Sequence, residues 1–539
     1  MNMSLTENTF LQVPLQNAIQ LYNQEVVPRL TKKNKVIAIS AAVALSLIYF
    51  IQDRIMKPPR KLRHIPYLGY FDTLRSMWRN ESIWDRSHRV HLPAIEAKDS
   101  KGLFVELSRI GWVLNVCNPE DAKRVLLKHD LFPKAALAEE QEGTLNSKFA
   151  MSANIVMLNG AHWKLQRRAA NPAFHRSMPI KLFGKLAQEL FKTMDSDNQV
   201  YNVSDLMERW TLDAIGKAGF GFDFNAIQDK DNEWVHRYSR ISVAMRDPLF
   251  FMFPTLDTKL RWLFPERQNI HKEMDIFSNM LDKVIAHKKQ MIENGVKNAV
   301  LEENERDLLD LMIESEKESG GEVMSAEELK NNLCVFFLAG HDTTANALSF
   351  AIHYLAENQD IQQKAREEAI SILGDEPYDV LPTVEDTKNM TYINQIMKET
   401  LRINGPASKV VSRIATEDTT LSGTFIPKGT LLTVNIFDIQ HSNTYWKDAS
   451  TFNPDRFSEN GEAARGSGDG NAWLPFGNGA RQCIGMNFSL NEQRVLLSML
   501  LRKFTWTTPE NSKHKNGLIS GGVGVIGPID LDIAFRKRY

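Results

Sequence analysis

Apolar and polar positions alternate along this chain in two registers, and the longer register dominates. Through the middle of the sequence apolar residues recur at helical spacing, most clearly after Ser325, where Glu328 three residues on completes a capping box. That signature predicts a helix running to about Asn358. A second apolar helical run is predicted from Met486 to Phe504. Period-two alternation is confined to short stretches such as Thr419–Val434, where Gly423 and Pro427-Lys-Gly429 mark hairpin turns. Glu459 to Asn471 reads as a polar, glycine-rich surface loop. The pattern predicts a mainly α protein with minor β sheets.

One segment departs from both registers. Val36 to Ile51 is uninterrupted by charge. At ~1.5 Å per residue it spans about 24 Å against a hydrocarbon thickness of roughly 27–30 Å, and the stems of Lys35 and Arg54 can extend it. It is expected to be a transmembrane signal-anchor rather than a cleaved signal, since some 35 residues precede it and no small-residue cleavage site follows. The division expected is an N-terminal segment 1–35, an anchor 36–51, a basic and proline-rich hinge 52–69, and one large domain 70–539. Basic residues flank both ends of the run, so charge alone leaves its orientation open.

Composition narrows the class. The 539 residues are 43% hydrophobic and 24% charged, with a formal net charge of −1. That balance fits a globular protein with a large core, and no basic block is long enough to point to nucleic acid. The three cysteines, Cys117, Cys334 and Cys483, are too dispersed for a zinc cluster and too few for a disulfide framework.

Cys483 stands in a setting of its own. The sequence Phe476-Gly-Asn-Gly479-Ala-Arg481-Gln-Cys483-Ile-Gly485 places it after a glycine-punctuated loop and at the start of the Met486 helix. Loop N–H groups and the helix dipole favour negative sulfur there. Gly477 and Gly479 permit a tight turn, and Gly485 lets a flat ligand approach the backbone. Arg481 is placed to meet a carboxylate of that ligand. A thiolate, a flat face and a carboxylate partner describe an axial haem site.

With these residues the chain resembles the cytochrome P-450 family of haem-thiolate monooxygenases, and its overall texture resembles fungal microsomal members. The pattern Phe-x-x-Gly-x-Arg-x-Cys-x-Gly is met at each fixed position. The resemblance implies the P-450 fold, haem b with Cys483 as axial ligand, and Phe476, Arg481 and Gly485 in the cofactor site. It implies that Ala339-Gly340-His341-Asp342-Thr343-Thr344 is the oxygen-activation segment, with Thr343 bonding bound oxygen and Asp342 relaying protons. Trp163 and Arg167, in Trp-x-x-x-Arg, and Arg413 correspond to propionate-binding positions. Glu399, Arg402 and Arg456, in Glu-Thr-Leu-Arg and Phe-Asn-Pro-Asp-Arg-Phe, correspond to a buried structural triad.

What the resemblance implies about function is insertion of one oxygen atom from O2 into a C–H bond of a lipophilic substrate, such as a steroid, terpenoid, fatty acid or xenobiotic. Only 539 − 483 = 56 residues follow Cys483, so electrons are expected from a separate NADPH-cytochrome P-450 reductase, with cytochrome b5 as a second donor and NADPH bound by the partner. The expected location is the endoplasmic-reticulum membrane, with the catalytic part cytosolic. A peroxide-rearranging enzyme of hydroperoxide lyase or dehydratase type and a non-catalytic haem sensor share Cys483 but have no use for Asp342-Thr343. Gly522-Val-Gly524-Val-Ile-Gly527 matches a dinucleotide fingerprint, yet only twelve residues follow it, too few for the required helix and second strand. It is expected to be a hairpin tip. The segments expected to line a substrate pocket are Phe132–Leu158, Leu249–Leu256, Val335–Ala339, Ala407–Val411 and Gly521–Ile526.

Overall fold

The computed structural model describes residues 32–539 apart from 55, 80, 98–99, 137–141, 152, 177–178, 195–198, 297–306, 319–323, 466–471, 516 and 523. Most of segment 1–35, Glu139 and Glu140 of the first pocket segment, and the end of the Glu459–Asn471 loop lie outside the described residues.

Helices that bear on the site are α1 (Lys32–Arg54), α2 (Pro119–Leu127), α3 (Gly160–Arg176), α4 (Val203–Ile215), α5 (Glu233–Met245), α6 (Ala326–Glu357), α7 (Thr391–Asn404), α8 (Ile436–His441) and α9 (Met486–Lys503). The strands are β1 (Leu103–Ser108), β2 (Gly111–Val116), β3 (Gln199–Asn202), β4 (Arg413–Ile414), β5 (Thr419–Leu421), β6 (Thr424–Ile426), β7 (Leu431–Val434), β8 (Phe504–Thr507), β9 (Ser520–Gly521), β10 (Gly527–Pro528) and β11 (Asp532–Lys537). They form four small sheets, ordered β1-β2-β7-β4, β3-β11-β8, β5-β6 and β9-β10. β2 and β7 pair in parallel, with Val113 opposite Leu431 and Val116 opposite Val434.

α6 crosses the middle of the helical layer. Ser325 accepts from the Glu328 N–H while Glu328 bonds back to the Ser325 N–H, and the helix ends at the Asn358 cap. Its flanks are buried on nearly all sides, as an internal helix requires. It runs unbroken through Gly340. The reason for the glycine is packing. A Cβ there would stand 2.9 Å from Ile215 Cγ1 on α4, closer than side chains tolerate.

Two apolar cores result. The larger is helical, and the smaller gathers around β1, β2 and β7. The cysteine loop spans the seam: Ala472 and Leu474 belong to the smaller core, while Phe476, Ile484 and Met486 pack on the larger. The predicted hairpins are present at β5-β6 and β9-β10, with Gly423 at φ +70° and Gly524 at φ +86°. Leu431–Val434, however, leaves the hairpin to join the first sheet.

The apolar N-terminal run folds as α1, and every residue from Val36 to Phe50 is exposed, so it is not a core helix. Among the described residues no helix is long and apolar enough to cross a membrane. The structure therefore does not support the transmembrane anchor expected at 36–51. The apolar residues Val36–Phe50 span only about 22 Å at ~1.5 Å each, and Gln52 and Asp53 follow. Asp53 is clasped into the hinge, its Oδ1 accepting from Arg63 Nη1 at 2.6 Å and its Oδ2 from Arg60 Nη2 at 3.3 Å.

Candidate haem-thiolate site

Cys483 sits where the loop turns into α9. Gly477 and Gly479 adopt φ of +67° and +71°, the left-handed region that favours glycine. Gly479 also lies against α2, where a Cβ would meet Leu127 Cδ2 at 3.0 Å. The Cys483 N–H donates to the Phe476 carbonyl at 2.9 Å, closing the loop on itself.

The loop is fastened from behind. Gln440 on α8 donates to the Leu401 and Arg402 carbonyls, at 3.1 and 2.9 Å, and accepts from the Leu474 N–H at 3.1 Å. Trp473 Nε1 donates to the Lys398 carbonyl at 3.0 Å. The same α7 carries Glu399 and Arg402, which the structure brings together with Arg456. Glu399 accepts from Arg402 Nε and Nη2 at 2.7 and 2.9 Å, from Arg456 Nε at 3.3 Å and from the Asn453 N–H at 2.8 Å. Arg402 Nη1 is completed by the Gln440 and Ala449 carbonyls.

In front of Cys483 lies a cavity of about 160 Å3. Ala339, Gly340, Thr343 and Thr344 of α6 form one wall, and Phe476, Arg481, Gly485 and Ser489 with Cys483 form the other. Ile155, Phe174, Ile215, Val335 and Phe336 add apolar surface. The cysteine's exposure is to hollows rather than to a flat surface, because on its other side it lines a more open depression of about 500 Å3 with Lys164, Arg167 and Arg168. Burial pushes the Cys483 thiol up, and the Gly485 N–H and the Arg167 charge oppose this without reversing it. Burial thus outweighs the loop N–H groups and helix dipole that favour negative sulfur, and coordination to a cation would deprotonate a ligating thiol outright.

The charge lining this cavity is one-sided. Arg481 Nη2 donates to the Leu158 carbonyl and to Asn159 Oδ1, at 2.6 and 3.0 Å, and its guanidinium covers the Trp163 ring at 3.7 Å. Its Nε and Nη1 are buried with no partner. Arg413, 2% exposed, does not itself line the cavity; it stands behind it as a neighbouring charge of Lys134 and Arg481, bonds the Phe132 carbonyl and leaves Nε unpartnered. Arg167 donates to the Gln482 carbonyl at 2.9 Å, so it holds the cysteine loop directly. Lys134, absent from the residues singled out in the sequence, joins them at the rim. Burial first, then Arg413, Arg481 and Arg167, hold the Lys134 amine well below its ordinary value. Burial, Arg413 and Arg167 likewise hold Arg481 down, to about 9, against only a small pull from Asp130. No carboxylate lines the cavity among the described residues. These are the marks of a site that receives anionic groups from a ligand. Gly485 fits the same ligand: a Cβ there would meet only Phe174 Cε1, at 3.8 Å. Thiol, unpaired cations, a Cβ-free face and apolar walls together suit haem with its two propionates.

Thr343 borders the cavity, and its hydroxyl donates back to the Ala339 carbonyl at 2.8 Å. Asp342 is 2% exposed and lies on the α4–α5 side of the helix, away from the cavity. Its Oδ1 is 3.2 Å from His341 Nε2 and its Oδ2 3.5 Å from Arg246 Nη2. Of the expected pocket segments, the cavity draws on Phe132–Leu158 and Val335–Ala339 but not on the other three. Phe250 and Phe251 instead lie under Arg267 and Arg109.

Comparison with known proteins agrees with this geometry. Residues 111–529, well over half the chain, match the family described as Cytochrome P450. "Protein LUTEIN DEFICIENT 5, chloroplastic" of Arabidopsis thaliana is 27% identical over 73% of this chain and 65% of its own length. "Bifunctional cytochrome P450/NADPH--P450 reductase 2" of Bacillus subtilis is 30% identical over 70% of this chain and 34% of its own length. The chain thus spans less than two thirds of either relative. A crystal structure of a mutant cytochrome P450DA heme domain superposes with a TM-score of 0.72, at 22% identity, over 88% of this chain and 98% of that one. The chain belongs to the cytochrome P450 family, whose fold it shares.

Proposed function

We propose that this protein is a monooxygenase that inserts one oxygen atom from O2 into a C–H bond of a lipophilic substrate, with Cys483 as the axial ligand of haem b. The observation that carries the reading is the pairing of the Cys483 thiol with a cation-lined cavity that holds no carboxylate of its own. Bound haem supplies the redox chemistry. Arg481, Arg413 and Lys134 hold its propionates, Trp163 and Arg167 brace the loop, and Gly485 and Phe476 shape the face it lies on. Ile155, Val335 and Phe336 exclude water and favour an apolar substrate. Thr343 is placed to donate a hydrogen bond into the cavity once it releases the Ala339 carbonyl. Asp342, held on the Arg246 side of the helix, relays protons toward Thr343 once it turns from that side to the cavity.

Electrons come from a separate NADPH-dependent reductase, with cytochrome b5 as a second donor. Lys164, Arg167 and Arg168 around the open depression provide a cationic docking face for an acidic partner. The exposed apolar surface of α1 seats the protein on the endoplasmic-reticulum membrane as a microsomal type, with the haem domain cytosolic.

The experiment is spectroscopic. The reduced carbon-monoxide complex should show the red-shifted Soret band of thiolate ligation, and Cys483→His should lose it. Cys117→Ser should keep it. A wild-type-like band from Cys483→His overturns the assignment. Thr343→Ala should keep the band while product per NADPH falls and hydrogen peroxide rises, with turnover down ~10²-fold or more, as when a positioned proton donor is removed. Full coupling in Thr343→Ala would remove Thr343 from the oxygen-activation role, whereas turnover of a hydroperoxide without NADPH would favour the peroxide-rearranging alternative, which needs no external electrons.

A further inference from the structure

A second concentration of unmatched positive charge lies apart from the haem cavity. Arg494 on α9 is half-buried, and its Nη1 and Nη2 donate to Asn491 Oδ1 and Asn394 Oδ1, at 2.9 and 3.1 Å. Both acceptors are neutral amides, and they use only part of the N–H donors that a guanidinium carries. Burial holds Arg494 below its ordinary value, and no carboxylate draws it back. Lys398, one turn on from Asn394 along α7, is lowered by burial and then by Arg494, again with no acid opposing. The two cations press on each other as Lys134 and Arg481 do.

Arg494, Asn394 and Asn491 face a pocket of about 340 Å3. Its walls come from α7, α9, the short helix Val384–Asn389 and the start of the helix Ile180–Thr193. Ile180 and Met390, 3% and 0% exposed, give it buried apolar surface. No carboxylate lines it among the described residues, and it shares no residue with the haem cavity or with the open depression beside Cys483. Lys388 stands at its edge, paired with Glu385 at 3.1 Å, and that exposed pair leaves Arg494 unneutralised. Bracing of α7 against α9 does not account for the arginine, since a neutral donor would bridge the two asparagines without the cost of taking a charge out of water.

We propose that this pocket binds a small carboxylate bearing a short apolar chain. Arg494 receives the carboxylate through its remaining N–H donors, in the fork geometry that the two groups share. Asn394 and Asn491 hold the guanidinium in place, and Ile180 and Met390 take the chain. A volume of about 340 Å3 is at the low end for ligand pockets, which keeps the ligand small.

The test uses the full-length haem-loaded chain, hexanoate as probe, and calorimetry with the Soret band recorded in parallel. Hexanoate should give a binding step that leaves the Soret band unmoved, which separates this pocket from entry to the haem cavity. Arg494→Gln should keep the carbon-monoxide Soret band and weaken the step by ~10-fold or more, as expected for loss of charged hydrogen bonds. Asn394→Asp should abolish the step by seating a carboxylate of the chain's own against Arg494, and it decides the matter if Arg494→Gln does not fold. Hexanol, which lacks the charge, and inorganic phosphate, which lacks the chain, should each bind several-fold more weakly. Absence of the step, or its persistence unchanged in both variants, overturns the proposal. So does equal binding of hexanol, which marks a merely apolar hollow, or of phosphate, which marks an adventitious ion only. Weaker reductase binding in Arg494→Gln with no hexanoate step makes Arg494 a contact for an acidic protein partner and overturns it as well. None of these readouts needs NADPH-dependent turnover, so failure of the monooxygenase reading leaves the test intact.

Discussion

The two buried charge clusters of this protein are built on opposite rules. Around Glu399 the positive charges of Arg402 and Arg456 are met by carboxylates and carbonyls from three segments, and Glu462 closes on Arg456 from outside. Around the cavity Lys134, Arg413 and Arg481 press on one another with no carboxylate among them. The first cluster is complete in the polypeptide, so it acts as a clamp that fixes α7 and, through Gln440, the cysteine loop. The second is incomplete in the polypeptide, and its unsatisfied nitrogens define the charge of what it receives. Burial of ions is costly in both places, and the difference lies in who supplies the counter-charge.

Breaking the closed cluster should have the larger effect. Glu399→Ala strands Arg402 and Arg456 in the interior, and losing one partner of a buried pair typically costs about 3–5 kcal/mol. Denaturant unfolding should show that loss with or without haem, and a change under about 1 kcal/mol would end the distinction drawn here. Arg481→Gln tests the open cluster from the other side. It removes the stacking on Trp163 and two hydrogen bonds but also relieves repulsion from Arg413 and Arg167. Stability of the haem-free protein should stay within about 1 kcal/mol of wild type, while haem dissociates several-fold faster. A haem-free loss as large as that of Glu399→Ala would show that Arg481 is structural.

The smallest effect is a pH dependence. Lys134 is held well below its ordinary value in the fold, chiefly by burial, and regains about 10.4 when unfolded. Between those values the unfolded chain binds more protons, so stability rises with pH. Haem-free protein should therefore gain stability, relative to haem-loaded protein, as pH rises toward the ordinary lysine value. Lys134→Met should remove that difference, and an unchanged slope in the variant would assign it to other groups.

Local sequence determined a good deal of this protein. The Ser325–Glu328 box and the Asn358 end of α6, the turn glycines of the cysteine loop and the start of α9 after Gly485 were all readable. Each depends on backbone conformation and hydrogen bonds within a few residues. The haem-thiolate motif was readable for the same reason, since ligand, turn and helix are contiguous. What approaches from distant segments was not. Only tertiary packing placed Ile215 against Gly340, turned Asp342 toward Arg246, and brought Lys134 to Arg413 and Arg481. It also set the desolvation that raises the Cys483 thiol. Spacing along the chain fixes which turn a side chain occupies. The field and the solvent it meets there are set by neighbours hundreds of residues away, and those set the chemistry.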